Sequence, residues 1–163
     1  MHAPDVLRYG HATVMRAFEA LPLDGWETAG VVGTWSAKNV AAHLASFEQA
    51  LVELFGSLRH PALSTPTLAG MNQPDFNEEQ VALRHHLTPS ATLAEYVDWH
   101  GQAIQLADSF PAETYCQTGL LGWYGADYDL EDFLVYTYYG HKREHAVQLK
   151  LFIRRGEPLN TTT

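Results

Sequence analysis

Tyr139-Gly140-His141-Lys142-Arg143-Glu144-His145 places two histidines four residues apart in a run whose only helix breaker is Gly140. On a helix, positions i and i+4 share a face one turn apart, so the two imidazoles can reach one metal ion. The flanking apolar residues say which way that face points. Leu130, Leu134, Thr137/Tyr138, His141, His145, Leu149 and Phe152 recur at steps of three and four, the period of a buried helical stripe. Both histidines therefore fall on the inward stripe, while Lys142, Arg143, Glu144 and Lys150 fall largely off it. Two polar rings in a core need partners.

Working outward, Asp129 can cap this helix, which the spacing predicts over 129–155. Gly156 and Pro158 stop it, and Arg154 and Arg155 suit the negative end of its dipole. The tail Thr161 to Thr163 is expected to fray. A first helix is predicted over 6–21, capped by Asp5 and closed by Pro22. Leu23 to Thr34 reads as a loop, with Trp26 and Trp35 tacking it down. Ser36 is a good N-cap for a second helix over 36–58, in which His43 lies three after Val40 and four before Phe47 and so points inward. The Arg59 to Pro74 stretch, with its prolines, reads as a long surface connection. Asp75 with Glu78 resembles a capping box for a short helix from Phe76 to Leu87. A third long helix is predicted over 90–109, with Leu93, Tyr96/Val97, His100, Ile104 and Ala107 inward. Pro111 to Tyr128 reads as an ordered loop or short hairpin. Four long helices, each with one apolar stripe, make an all-α four-helix bundle with long crossover connections, a single domain over residues 1–163.

Composition narrows function. The net charge of −9 argues against binding a nucleic-acid backbone and against adhesion to an anionic membrane. No stretch has the roughly 18 apolar residues of a membrane span, and the first residues do not read as a signal peptide. Cys116 is the single cysteine, so no internal disulfide forms and a cytoplasmic location is expected.

If the second and fourth helices are neighbours, His43, His141 and His145 converge. Three imidazoles with open positions left for water or substrate is the pattern of a catalytic metal site, whereas a structural site would more often close with a fourth ligand. Against this stands the plainer reading that an inward histidine is a satisfied core residue. His100 is read that way, as packing or as a support to the ligands. His85, His86, His11, His60 and His2 are read as surface or cap residues. Glu48 and Glu144 could orient ligand imidazoles but read first as exposed helical carboxylates. Cys116 reads as inert. The Tyr136, Tyr138 and Tyr139 cluster reads as packing, with Tyr136 or Tyr139 as candidate donors to a substrate oxygen. The triplet Gly119, Gly122, Gly125 lacks the spacing of a phosphate loop.

Thr34-Trp35-Ser36-Ala37-Lys38-Asn39-Val40-Ala41-Ala42-His43-Leu44 resembles the opening of the second helix in the DinB-like superfamily. Gly140-His141-Lys142-Arg143-Glu144-His145-Ala146-Val147-Gln148-Leu149 resembles that superfamily's fourth-helix signature, and Asp75-Phe76-Asn77 resembles its segment before the third helix. The resemblance spreads over nearly the whole chain. It implies a four-helix bundle with a divalent metal on His43, His141 and His145; imidazole ligands alone suit zinc, nickel, copper or iron, and zinc or nickel is the expectation. It also implies small-molecule substrates and frequent homodimers. Members include S-transferases and isomerases that use a low-molecular-weight thiol (mycothiol, bacillithiol or glutathione) and metal-dependent hydrolases. The expectation is a metal-dependent S-transferase or hydrolase on a small molecule. The alternative is a protein that binds and sequesters a small molecule without catalysis, the aromatic segment from Tyr115 to Tyr128 lining its pocket.

Overall fold

The computed structural model describes residues 3–156. The expectations for His2, Pro158 and the Thr161–Thr163 tail lie outside the described residues. Among the described residues the chain is all-α, and the sole β feature is an isolated antiparallel bridge between Val32 and Trp35.

Eight α-helices run in chain order: α1 (Ala3–Glu19), α2 (Ala37–Arg59), α3 (Pro66–Gly70), α4 (Phe76–Leu83), α5 (Pro89–Ala107), α6 (Ala112–Tyr115), α7 (Leu130–Leu134) and α8 (His141–Gly156). A π-helical segment, Val135–Gly140, joins α7 to α8, so the helix expected over 129–155 is one rod with a wide turn in it. α2 packs chiefly along α5, and α1 along α8 and the π segment. No helix among the described residues is long and apolar enough to cross a membrane.

The starts of these helices come from their caps. The Ser36 side chain accepts from Asn39 N–H while the Asn39 side chain accepts from Ser36 N–H, closing both ends of the first turn of α2. Asp129 and Asp132 do the same for α7. The helix expected from residue 90 begins at Pro89, and Thr88 caps it, accepting from Ala91 N–H. One expected cap is not made. Asp75 makes no side-chain cap, because its backbone (φ −94°, ψ 2°) is not the extended one that aims a cap at the N–H groups ahead. Glu78, its expected partner, instead accepts from Trp35 Nε1 at 3.0 Å, so Trp35 ties its turn to α4. The 59–74 connection holds the short helix α3 with Pro66 at its start, and the 111–128 segment holds α6 and turns rather than a hairpin.

The apolar core is in two parts. One gathers Leu7, Leu51, Leu54, Phe55, Ala103, Leu130, Leu134 and Tyr138. The other gathers Val14, Phe18, Val40, Leu44, Tyr96, Ala146 and Leu149. Each fully buried Leu or Phe contributes about 1.5–3 kcal/mol over the exposed side chain. Between the two parts every long helix presents polar groups: His11 on α1, Glu48 on α2, His100 on α5, and His141, Lys142 and His145 on α8. Val97, expected inward, is 40% exposed. Lys142 and Glu48, both expected at the surface, are 1% and 0% exposed.

Candidate metal centre

The π turn sits immediately before His141. Inserting an extra residue into a helical turn rotates the next stretch of helix about its axis, and such turns occur often at functional sites. Here the buried positions are Leu130, Phe133 and Leu134 before the turn, Tyr138 within it, and Lys142, His145, Ala146 and Leu149 after it. His141 is left half-buried and His145 buried. From α2, His43 comes to meet them.

The three rings converge through their Nε2 atoms. His141 Nε2 lies 2.8 Å from His43 Nε2 and 2.9 Å from His145 Nε2. One ring nitrogen offers either a proton or a single lone pair in its plane. His141 Nε2 therefore cannot satisfy both neighbours, whereas one cation between the rings satisfies all three. The ligand atoms of His43, His141 and His145 all lie within 4.8 Å of one another, and among the described residues these three form a group that could hold a metal ion. Tetrahedral ligation at ~2.0–2.1 Å sets nitrogens roughly 3.3 Å apart, so a small outward shift of the rings would complete the fit.

Protonation favours ligation as well. Burial lowers His43 to about 3, helped by the neighbouring His145. Burial lowers His141 to about 2, with His145, His43 and Lys142 adding repulsion. His145 is lowered by burial too, against the opposing hydrogen bond to Gln148. The neutral imidazole is the form a metal takes.

Gln148 fixes the tautomer of His145. Its Nε2 is directed to the Glu144 carboxylate at 3.5 Å, which turns Oε1 toward His145 Nδ1 at 2.7 Å. An amide oxygen only accepts, so His145 carries its proton on Nδ1 and keeps the Nε2 lone pair for the centre. Replacing Gln148 by Leu removes that acceptor without altering any of the three histidines. The expected result is a 10–100-fold loss of zinc affinity with unchanged far-UV dichroism, measured by competition with a chromogenic chelator.

Aromatic rings close the surroundings. The Phe47 ring centre lies 4.4 Å from His141 and 4.7 Å from His43, and Trp35 lies 5.2 Å from His43. Phe76 backs Phe47 at 6.2 Å, and Gly70, at the end of α3, lies so close to the Phe76 ring that an added Cβ would sit 3.3 Å from it. A line of contacts thus leads from the 59–74 connection to the triad. The 111–128 segment meets that connection in a cavity of about 290 Å³ lined by Thr65, Leu68, Ala69, Asn72 and Trp123.

The chain matches the DinB superfamily model over residues 7–149. This chain belongs to the DinB superfamily. No curated protein and no solved structure matches it. The two stretches that resemble DinB helices carry the three histidines brought together here, and Gln148, which lies in the second of them, is the supporting residue the spacing alone did not single out.

The remaining candidates take other places. His100 does not join the triad: its Nδ1 donates to Glu48 Oε2 at 3.0 Å. Glu48 orients no ligand and is fully buried, held between His100 and Lys142. His11, read as a surface residue, stacks on His100 at 3.9 Å and shares a hydrogen bond with Tyr96 OH at 3.0 Å. Cys116 is exposed. Tyr136 is 66% exposed, Tyr139 packs under Arg143, and Tyr138 is the buried member of its cluster, donating to the Phe47 carbonyl at 3.1 Å.

Proposed function

We propose that this DinB superfamily protein is a metal-dependent enzyme that joins a small thiol to a small electrophile. The observation that carries the reading is the convergence of the Nε2 atoms of His43, His141 and His145, two of the residues buried and one half-buried, an arrangement with no better partner than a cation. Zinc or nickel suits an all-imidazole set. A divalent ion held there supplies Lewis acidity, letting a small thiol react as its anion near neutral pH.

The protein's own residues supply the rest. His43 from α2 and His141 and His145 from α8 present lone pairs toward one point. Gln148 holds the tautomer of His145. Trp35 and Phe47 flank the triad, with Phe76 behind Phe47, and this apolar side would meet the carbon skeleton of the electrophile. Cys116 is not the sulfur in this scheme; the thiol comes from a diffusible cofactor. In the transfer, the thiol releases its proton to solvent. Its sulfur bonds the electrophilic carbon, and chloride leaves or an epoxide C–O bond opens and its oxygen takes a proton.

The test is metal analysis of the purified protein, then conjugation of glutathione, mycothiol and bacillithiol to chlorinated and epoxide acceptors. Turnover that disappears with a chelator and returns with zinc or nickel is expected. Equal turnover with and without metal overturns the proposal. Metal-dependent cleavage of esters or amides without added thiol would replace transfer by hydrolysis at the same centre.

A further inference from the structure

Between the two apolar clusters, one chain of buried polar contacts touches all four long helical segments. Lys142 on α8 pairs with Glu48 on α2, Nζ to Oε1, at 2.5 Å. Glu48 Oε2 accepts from His100 on α5, and His100 stacks on His11 of α1. Lys142 reaches this position because α1 yields space at Gly10, where a Cβ would stand 3.3 Å from Lys142 Cδ. Lys142 Nζ and Glu48 Oε1 lie deep in the interior, 1% and 0% exposed, each with the other's charge at close range. Lysine and glutamate are almost never fully buried unless paired, and a buried pair is weak evidence of added stability. This one needs another account.

Its location supplies one. α2 finds its main partner in α5 and α8 finds its own in α1, so the α2–α8 seam has little packing of its own. The triad spans that same seam, with His43 on one side and His141 and His145 on the other. Lys142 directly succeeds His141 in the chain, and Glu48 lies five residues after His43.

We infer that the buried Glu48–Lys142 pair is a positioning device for the triad, fixing how α8 stands against α2 and hence the spacing of His43 from His141 and His145. This rests on the metal reading above. The pair touches no ligand ring; it acts through the helices that carry them. A short-range ion pair suits this task better than apolar contacts, which tolerate sliding, because its energy falls steeply when the two charges separate in a dry interior.

The test compares the full-length protein with the double variant Glu48→Gln/Lys142→Met, read with cobalt(II) as probe. The double variant removes both charges, so the net charge near the centre is unchanged and no unpaired ion is left buried. The expected result is a metal-free melting temperature close to the parent's, cobalt affinity at least about tenfold weaker, and a shifted visible spectrum. Glu48→Asp keeps both charges but shortens the reach by one methylene, and carries the test where the double variant does not fold; the same direction in affinity and spectrum is expected. Variants that melt like the parent and bind cobalt with its affinity and spectrum overturn the inference. So does the pattern of a purely electrostatic role, in which Glu48→Gln weakens binding and Lys142→Met tightens it. A parent protein that takes up neither cobalt nor zinc removes the metal reading and this inference together, whereas a metal-binding parent with indifferent variants removes this inference alone.

Discussion

His141→Ala is expected to abolish stoichiometric metal uptake while leaving the protein helical. Of the three histidines, His141 is the one whose Nε2 contacts both others, at 2.8 and 2.9 Å. Loss of a group that merely supports a ligand costs a metal centre 10–100-fold, so loss of the ligand at its middle should exceed that range. The fold has other sources of stability. The apolar clusters on either side hold fully buried Leu7, Leu51, Leu54, Phe55, Leu130 and Leu134 in one and Val14, Phe18, Leu44 and Leu149 in the other, and none of them depends on the imidazole. His141 is also half-buried, so the space left by truncation opens toward solvent rather than forming a sealed void. Metal content by elemental analysis and far-UV dichroism measured on one preparation decide the matter. A variant that binds one zinc per chain with the parent's affinity would contradict the triad, and a variant that loses its helices would show that the ring is structural.

The triad is legible in the sequence because it breaks a pattern. His141 and His145 occupy stripe positions where Leu or Val is usual, and His43 does the same between Val40 and Phe47, so periodicity alone turns all three inward. The other half of the polar layer escapes for the same reason that the rule usually works. Lys142 and Glu48 are charged residues within helices, and such residues ordinarily face water. Each is buried because the other is, and the two lie on different helices, so no local signal marks either. His11 hides in the same way, through its stack on His100. The π turn at Val135–Gly140 is equally illegible, since a change of backbone register is set by what the flanking residues pack against, here Phe133 and Leu134 on one side and His145 and Leu149 on the other. Helix starts with a side-chain cap, such as Ser36 with Asn39, are readable. Asp75 with Glu78 has the same spacing but a different fate, because Trp35 claims the Glu78 carboxylate. Pro66 at the start of α3 is a signal that the sequence does carry, a proline at the first position of a helix, inside a stretch dominated by other breakers.

The same polar layer should make the metal-free protein acid-labile, its stability falling once the pH drops below the ordinary imidazole range. Burial lowers His11 and His43 to about 3 and His141 to about 2, and lowers His100 and His145 as well. In the unfolded chain each would titrate near 6.5. Between 6.5 and about 3 the unfolded state therefore binds protons that the folded state refuses. Stability is complete above pH 6.5 and falls as pH drops through that window, by about 1.4 kcal/mol per pH unit for each such group. Glu48 pushes the same way. Burial alone would raise it, but Lys142 and His100 hold it below its ordinary value, so its contribution is present above pH 4.5 and is lost toward about 2. Two such histidines alone remove about 5 kcal/mol over two pH units, a large share of the roughly 5–15 kcal/mol that holds a domain together. Cooperative unfolding with a midpoint at about pH 4 to 5 is the expected outcome, monitored by near- and far-UV dichroism after chelation. Saturating zinc should move the midpoint to lower pH, because an ion bound only to the folded triad stabilises that state and keeps its imidazoles neutral. Retention of native dichroism and an unchanged melting temperature at pH 3.5 would show that these rings accept protons in the folded protein, and that the layer between the two clusters is wet rather than dry.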